Sequence, residues 1–409
     1  MALAGSLVGV MLAGMAGADP APSYSQLLRQ TADAPRIAIL EADVERSEGL
    51  ALQARARPNP NISFYGENFG GSSPYGGFGR TETTIQYNHP FELPGKRSSR
   101  IAAGNAGIAA AQARGLEGRL VYAYELARAY AGAEIAERRI ALADDEVEEA
   151  TADLKLARAL VVAGKEARLR QLQAETELST VQADRAGRQA DRAVALARLS
   201  ALAGVETPFT SLSESLLGRL NATPATGPLD PLQTIAVRAA EAEREAAARQ
   251  VTAQRKAAMP DVTAQIGVRR LEIDNATAIV AGVSLPLNLF DRNKGNIAAA
   301  QASLRGAEAR AAQTRLEAQA NGNAAQILLK AADERGAAAA RTLVTAEETY
   351  RLARIAYEAG KSPLIELLAA RHGLGVARGV VLDAEGARLD ARANLARLSG
   401  LTITGEPVQ

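Results

Sequence analysis

The sequence predicts a mainly α-helical fold with a small β part, built from two copies of one structural unit. Three observations predict it: long alanine-rich stretches, four segments of about ten residues whose side chains alternate in polarity, and matching residues at a fixed spacing. Between residues 297 and 320, ten of 24 residues are alanine, whereas aromatic residues make up only 4% of the 409-residue chain. This composition suits helices that pack closely along their lengths rather than a bulky globular core.

The repeat is visible as four sets of matching residues that lie 196 positions apart. The matching sets are Pro90 and Pro286; Ile101 and Ile297; Ala163, Gly164 and Lys165 with Ala359, Gly360 and Lys361; and Leu199, Leu202 and Gly204 with Leu395, Leu398 and Gly400. We therefore assign residues 19–204 to a first copy and 232–401 to a second, with a connector at 205–231 and a tail at 402–409.

Each copy begins with a helix that ends at proline. The predicted helices cover residues 35–57 and 232–257, and Pro58 and Pro260 follow them. Proline ends a helix because it has no amide hydrogen to donate. A β-hairpin comes next in each copy, at about residues 61–91 and 261–287.

The rest of each copy is predicted to be a long helical hairpin, at residues 97–203 and 293–399. The first arm of each hairpin has about 60 residues, which at 1.5 Å per residue gives roughly 90 Å. Gly164 and Gly360 stand where the chain reverses, because glycine readily adopts the left-handed conformation that ends a helix. Arms of this length are typical of a coiled coil and not of a compact globular domain.

The four strand segments have the length and the pattern of tilted membrane strands. Apolar and polar side chains alternate in 81–91, 261–270 and 277–287, and more weakly in 61–69. Seven of the fifteen aromatic residues fall between positions 64 and 91, which resembles an interfacial girdle. The alternative is a soluble sheet with one buried face.

Four strands cannot close into a barrel, so membrane strands would require association with other copies. Open strand edges are not tolerated in hydrocarbon, because each unpaired backbone group there costs several kcal/mol. Two copies would supply eight strands, a barrel filled by its own side chains, and three would supply twelve, enough for a passage. The residues therefore predict association with other copies and leave the number of copies open.

The N-terminus and the composition limit the possible functions. Residues 1–18 read as a secretory signal, with an apolar run ending in Ala16, Gly17 and Ala18, although no Lys or Arg precedes the run. An N-terminal membrane anchor is the alternative.

The chain has no cysteine, two histidines and a net charge of +1, and it lacks the H-E-x-x-H and G-x-S-x-G motifs. We therefore predict no enzyme activity, no cofactor, no metal site and no nucleic-acid partner.

Four segments carry a family resemblance: residues 57–63 (RPNPNIS), 90–97 (PFELPGKR), 260–263 (PDVT) and 284–296 (SLPLNLFDRNKGN). They resemble the TolC-like outer-membrane efflux proteins, and most closely the outer-membrane subunits of heavy-metal efflux systems of the cobalt–zinc–cadmium type. The resemblance implies a homotrimer with a twelve-stranded β-barrel continuous with a twelve-helix periplasmic tunnel, in the outer membrane of a Gram-negative bacterium. It also implies docking through a periplasmic adaptor onto a proton-driven inner-membrane RND pump.

The segments between strand and helix supply the first group of site residues. The strand-to-helix signature comprises Pro90, Gly95, Pro286, Phe290, Asp291 and Asn293. Pro286 is expected where a strand leaves its ladder, and Phe290 at the membrane interface. Asp291 or Asn293 is expected to cap the long helix that follows.

The resemblance places the second group at the periplasmic tips. Gly164, Lys165, Gly360 and Lys361 are expected to contact the adaptor, the alternative being that they are only turns. TolC-like channels ring their constriction with acidic residues past the second tip. Glu366 holds the first such position here, its first-copy counterpart is Arg170, and Ala369 occupies the second position. Glu366 and Arg170 are therefore the gate candidates, and a solvated helix charge is the alternative.

The predicted function is a passive outer-membrane exit duct for divalent heavy-metal cations. Met259 is the only methionine after residue 18, and His89 and His372 lie far apart in sequence. Soft metals bind thiolate, thioether or imidazole groups, so we expect metal selectivity in the partner proteins. The alternatives are a multidrug or type I secretion channel of the same fold, a periplasmic adaptor and a soluble structural coiled coil.

Overall fold

The computed structural model describes residues 19–31, 34–220 and 229–407. The predicted signal segment at 1–18 lies outside the described residues, as do parts of the predicted connector and tail. The elements in chain order are α1 (Tyr24–Gln30), α2 (Pro35–Arg55), β1 (Asn61–Glu67), β2 (Glu82–Phe91), α3 (Lys96–Val162), α4 (Arg168–Leu202), α5 (Leu216–Leu220), α6 (Ile235–Ala257), β3 (Val262–Leu271), β4 (Ala276–Ser284), α7 (Lys294–Glu358) and α8 (Leu364–Leu398). Helices α3 and α7 have 67 and 65 residues.

The ends of four helices share one backbone geometry. Gly164, Gly204, Gly360 and Gly400 follow α3, α4, α7 and α8, and their φ angles are 71°, 74°, 68° and 79°. In each case the amide after the glycine bonds a carbonyl five residues back, as Lys165 N does to Leu160 O at 2.9 Å. This is the Schellman motif, which satisfies carbonyls at a helix end and requires a left-handed residue. The internal repeat therefore extends to the backbone of the helix ends.

The strands form one antiparallel sheet in the order β1-β2-β3-β4. The first copy supplies β1 and β2, the second supplies β3 and β4, and the ladder between β2 and β3 joins the copies. Phe64, Ile85, Val268 and Ile279 stand in register across all four strands. In the described sheet, β1 and β4 each have one strand neighbour and one open edge.

Some elements end earlier than the sequence predicts. Strand β4 ends at Ser284 rather than at residue 287, two residues before Pro286, which has no amide hydrogen for a ladder. Strand β1 ends at Glu67 rather than at residue 69, because Asn68 adopts a positive φ of 59°. Helix α2 ends at Arg55, before Pro58 disfavours helical geometry in the residue preceding it.

The chain divides into two compact units, and each unit draws on both copies of the repeat. The first unit contains residues 1–38, 118–231 and 319–409, and the second contains 39–117 and 232–318. The sheet and helices α2 and α6 belong to the second unit, apart from the first residues of α2, while α4, α8 and both tip turns belong to the first. In the described part of the chain, no helix combines the length and apolar character needed to cross a membrane.

Within the first unit, the N-terminal segment and the predicted connector pack on the same part of α3. Ala21 N bonds Ser211 O at 2.7 Å, and the Tyr24 hydroxyl donates to Ala123 O at 3.1 Å. Glu134, 5% exposed, accepts bonds from Leu216 N at 2.8 Å and Leu217 N at 3.0 Å. The short helix α5 is therefore held by a buried carboxylate at its first amides.

Replacing Glu134 with alanine should lower the stability of the first unit by about 2 kcal/mol, because buried amides lose their acceptor. Thermal unfolding of the purified protein in detergent measures the effect. The control is Glu148→Ala, an exposed carboxylate on the same helix, which should leave the melting temperature unchanged. Equal melting temperatures for the two variants would contradict this role of Glu134.

Candidate functional site

One face of the sheet is apolar and exposed. The four residues in register at its centre, Phe64, Ile85, Val268 and Ile279, are all more than half exposed. Ile62, Ile266 and Val283 extend the same face and are also more than half exposed. A soluble protein covers such a face, because exposing several large aliphatic side chains side by side in water is unfavourable.

The opposite face of the sheet is polar and internally hydrogen-bonded. Thr84 and Asn88 are buried there, and the Asn88 amide donates to Ser63 Oγ and to Asn61 Oδ1, both at 2.7 Å. The Arg269 guanidinium bonds Glu82 at 2.9 Å near one end of this face. The sheet is thus polar on its sheltered side and apolar on its outer side, the reverse of a soluble sheet.

Basic residues after β2 cap the C-terminal carbonyls of helix α2. Arg97 donates to Arg55 O at 3.1 and 2.7 Å, and Arg100 donates to Ala54 O at 2.9 Å. Arg100 also pairs with Glu92. The carbonyls in the last turn of a helix have no partner within the helix, so these guanidinium groups satisfy them. The segment of residues 90–97 therefore fixes the junction between helix and sheet.

The carbonyls at the C-terminal end of helix α6 are likewise capped by side chains, and these come from both copies. Lys96 Nζ bonds Met259 O at 3.3 Å and Asp261 Oδ1 at 2.7 Å. Asn288 Nδ2 donates to Ala258 O at 2.6 Å, and Asn293 Nδ2 to Gln254 O at 2.8 Å. Sequence reasoning did not find this role for Lys96, Arg97, Arg100 and Asn288. Their position directly after each strand was the available signal.

The signature residues occupy distinct positions at this junction. Pro90 lies inside β2, opposite Thr263, while Pro286 follows the end of β4. Phe290 is 99% exposed. Gly95, with a φ of 90°, directly precedes α3.

Asp291 and Asn293 organise the start of α7. Asn293 has a φ of 55°, and its carbonyl accepts from Ile297 N at 3.0 Å. Its side chain bonds Gln254 and Asn296 rather than a backbone amide of the helix. Asp291 Oδ1 accepts the Asn293 amide at 2.9 Å, one position before the helix. Asn293 therefore directly precedes the helix, and its side chain joins α7 to α6 instead of capping the helix amides.

The two tips are exposed turns. Gly164, Lys165, Gly360 and Lys361 are all exposed, and the two lysine amides close the Schellman motifs of α3 and α7. Apolar side chains are exposed beside them, including Val162, Leu169 and Ile365. Each tip thus presents a lysine beside uncovered aliphatic surface.

The structure does not bring the two gate candidates into contact within one chain. Glu366 is exposed in the first turn of α8, and its Oε2 accepts the Ser362 hydroxyl at 2.5 Å. Arg170 bonds Gln173 at 3.0 Å and lies 3.9 Å from Glu166. Among the described residues of one chain, Glu366 and Arg170 each have separate polar partners.

A buried ion cluster near the tips was not found from the sequence. Arg371 on α8 is only 4% exposed; its Nη2 lies 2.5 Å from Glu177 on α4, and its Nη1 lies 3.5 Å from Asp153 on α3. We call these three residues the Arg371 cluster. The only sequence signal was an arginine that directly follows the apolar residues 367–370 of α8. The sequence could not identify the partners of Arg371, because which side chains meet across two helices depends on how each helix is rotated about its axis.

The Arg371 cluster lies in an apolar environment. The buried residues of the adjoining hydrophobic core are Leu154, Ala157, Ala174, Tyr350, Tyr357, Leu364, Leu367 and Leu374. Burial raises the pKa of Asp153 above its ordinary value, and the Arg371 charge opposes that rise. Burial and the neighbouring Asp153 raise the pKa of Tyr350 to about 12. The cluster therefore ties three helices together through charges that are costly to separate.

No group of three or more His, Cys, Asp or Glu side chains within the described ranges could hold a metal ion. The polar face of the sheet offers hydroxyl, amide and ion-paired groups.

A sheet with an apolar outer face, a polar inner face and two open edges, followed by long helical hairpins, defines an outer-membrane channel protein of TolC-like fold. Residues 27–205 and 233–401 match the family described as outer membrane efflux protein. The chain belongs to this family. The predicted family, fold class and outer-membrane location are confirmed, and the family consists of channels rather than enzymes.

Curated relatives include two named metal-resistance proteins. The chain is 43% identical over 393 residues to the nickel-cobalt-cadmium resistance protein NccC of Alcaligenes xylosoxydans xylosoxydans, covering 96% of this chain and 89% of that one. It is 41% identical over 315 residues to the nickel and cobalt resistance protein CnrC of Cupriavidus metallidurans, covering 77% and 75%.

Solved structures share the fold at low sequence identity. A CusC structure, described with the protein's folding and transmembrane channel formation, aligns with a TM-score of 0.77 at 18% identity and covers 94% of this chain and 92% of that one. The outer membrane protein VceC of Vibrio cholerae aligns with a TM-score of 0.73 at 21% identity, covering 94% and 96%. These likenesses establish the fold.

Proposed function

We propose that three copies of this chain form the exit duct of a tripartite efflux system, which passively conducts divalent heavy-metal cations to the exterior. The observation that carries the proposal is the sheet, whose outer face is apolar and exposed and whose two edges are open. Hydrocarbon covers such a face, and neighbouring copies close such edges. Three four-stranded sheets supply twelve strands, enough to enclose a passage.

The metal substrate is supported by the relatives. NccC and CnrC are named for resistance to nickel, cobalt and, for NccC, cadmium. We extend this substrate class to the present chain on 43% and 41% identity.

The partners proposed are a periplasmic adaptor and an inner-membrane RND pump. The exposed tips carry Lys165 and Lys361 beside uncovered aliphatic side chains, a surface suited to docking of another protein. The adaptor and soluble coiled-coil alternatives are excluded by the family to which the chain belongs.

Assembly and substrate class can be tested separately. Native mass spectrometry in detergent should give a trimer, and a monomer would end the channel proposal. Deletion of the gene should sensitise the host to nickel, cobalt or cadmium, and the intact gene should restore resistance. Unchanged metal tolerance together with sensitivity to organic toxins would favour the multidrug alternative, and a secretion defect would favour the type I alternative.

Glu366 is proposed to line the constriction of the assembled duct, since three copies would form an acidic ring that attracts cations. Glu366→Gln should change single-channel conductance by about twofold or more, or weaken block by divalent cations, because the ring loses its charge. Planar-bilayer recording is the measurement. Glu347→Gln, an exposed carboxylate on α7, is the matched control. Identical recordings from both variants would remove Glu366 from the gate.

A further inference from the structure

Positive charge accumulates where the sheet meets the helices. Five basic side chains there have no ion pair or side-chain hydrogen bond to any residue that the structure describes, and we call them the basic collar: Arg57, Arg255, Lys256, Arg292 and Lys294. Four of them are exposed, and Lys256 is half-buried. Charges of one sign concentrated at one level of a molecule attract groups of the opposite charge to that level.

Contacts of the second copy bring four collar residues together. Asn293 Nδ2 donates to Gln254 O at 2.8 Å, so Arg292 and Lys294 flank a residue bonded to the last turns of α6. Arg255 directly follows Gln254 in the same helix. The four residues concerned are Arg255, Lys256, Arg292 and Lys294.

Contacts of the first copy place the remaining residue at the corresponding junction. Arg97, at the start of α3, bonds Arg55 O, two residues before Arg57. Lys256 contacts the same start of α3, since its Cε would lie 3.5 Å from a Cβ on Gly95. The collar therefore follows the end of the sheet across both copies.

The exposed apolar surface of the sheet ends at the collar. Leu285, Leu287, Leu289 and Phe290 continue that surface beyond β4, each at least half exposed, and Arg292 follows two residues later. This change from aliphatic to aromatic to cationic side chains is typical of a membrane–water interface.

Strand β2 shows the same ending of its apolar face. The Tyr87 and His89 rings stack at 6.2 Å between centroids, and the His89 and Phe91 rings meet edge to face at 4.6 Å. Aromatic side chains are enriched at the level of the lipid headgroups. Two strands thus mark the same boundary independently.

Nearby carboxylates do not neutralise the collar. Glu92 pairs with Arg100, and Asp261 pairs with Lys96. Asp291 accepts the backbone amide of Asn293. Glu92 and Asp261 are therefore neutralised by cations outside the collar, while Asp291 keeps its charge and offsets only one of the five collar charges.

We propose that the basic collar binds the phosphate headgroups of anionic lipids in the periplasmic leaflet. Arginine and lysine bind phosphate oxygens through charge-assisted hydrogen bonds, and anionic lipids attract basic segments beside a membrane-spanning part. The contact fixes the depth of the sheet in the bilayer. The inference rests on the proposed function, since a membrane-spanning sheet brings its helical end to a leaflet surface.

The chain contains no tryptophan, which allows a single-tryptophan reporter at Phe290. Phe290→Trp is reconstituted in vesicles that contain brominated phosphatidylglycerol or brominated phosphatidylcholine, because bromine quenches only nearby indole. We expect the anionic lipid to be preferred at this site by about fivefold, the effect of roughly one basic residue at a membrane surface. Changing all five collar residues to glutamine should reduce the preference to near one.

Two controls separate the collar from general charge. A reporter at Phe78, which is exposed in the loop at the opposite end of the sheet, should not respond to collar neutralisation. A second five-fold glutamine variant removes the same charge from exposed helix positions and should preserve the preference at Phe290; its positions are Lys155, Arg198, Arg305, Arg335 and Arg341.

Equal quenching by both lipids, or a preference that survives neutralisation, would overturn the proposal. Weaker adaptor capture by the neutralised protein, with its lipid preference intact, would assign the collar to a protein partner instead. A reporter quenched by neither lipid would contradict the membrane-spanning sheet itself, and so distinguishes failure of the proposed function from failure of the collar.

Discussion

Arg371→Ala should destabilise the tip-proximal helices by about 3–5 kcal/mol, the cost of removing one partner from a buried ion pair. The substitution leaves Asp153, itself 4% exposed in its side chain, without its cation. Hydrogen exchange of the α3, α4 and α8 amides, measured on the purified protein in detergent, reports the local loss. Arg351→Ala breaks an exposed pair with Glu348, which solvent screens, so it should leave the exchange protection nearly unchanged and serves as control.

The loss of stability in Arg371→Ala should depend on pH in a defined direction. Burial already raises the pKa of Asp153 above 3.8 in the folded protein, and removing Arg371 deletes a cause that lowers it. A carboxyl group with a raised folded pKa favours the folded state when protonated, and this contribution is lost as the pH rises through that pKa. The Arg371→Ala defect should therefore be small near pH 4 and grow toward neutral pH.

A second variant distinguishes lost charge balance from lost packing. Asp153→Asn in the Arg371→Ala background removes the stranded carboxylate and should restore part of the exchange protection at neutral pH. No restoration, together with a defect that ignores pH, would show that Arg371 acts only through the volume of its side chain. Glu177 accepts a hydrogen bond from Arg371, but its side chain is 34% exposed, so water can replace Arg371 there in the variant.

The features predicted well from the sequence are those encoded by periodicity. Alternation with a period of two placed the apolar residues of β2, β3 and β4 on one face, and the register confirms that they align across strands. The fixed spacing of Gly164 and Gly360 predicted the tip turns, since only a left-handed position needs glycine there. Local rules sufficed because each feature depends on neighbours in sequence.

Features that depend on distant partners were missed. The short helix α5 is stabilised by Glu134, 82 residues away in sequence from the first amide it accepts, so its own five residues carry no signal. Arg371 meets Glu177 only because α8 and α4 present particular faces to each other. No propensity or motif encodes such a rotation, which follows from the packing of whole helices.

Ile266→Arg should block membrane assembly far more strongly than the same change at the preceding residue. Ile266 is 58% exposed at the middle of β3 on the apolar face, whereas Gln265 belongs to the polar face. Arginine at the bilayer midplane of a transmembrane barrel costs about 2–4 kcal/mol, and the three copies of the proposed trimer would multiply the effect. Folding of the urea-denatured protein into phosphatidylcholine vesicles, followed by gel mobility, measures the yield.

The Gln265→Arg control decides what the result means. Both variants place one arginine, with one added charge, at adjacent positions of the same strand, so a general disturbance of β3 would reduce both yields alike. A large loss for Ile266→Arg with near-normal yield for Gln265→Arg would show that lipid contacts the apolar face. The reverse order would place water outside and apolar side chains within, and the duct proposal would then fail at its physical basis.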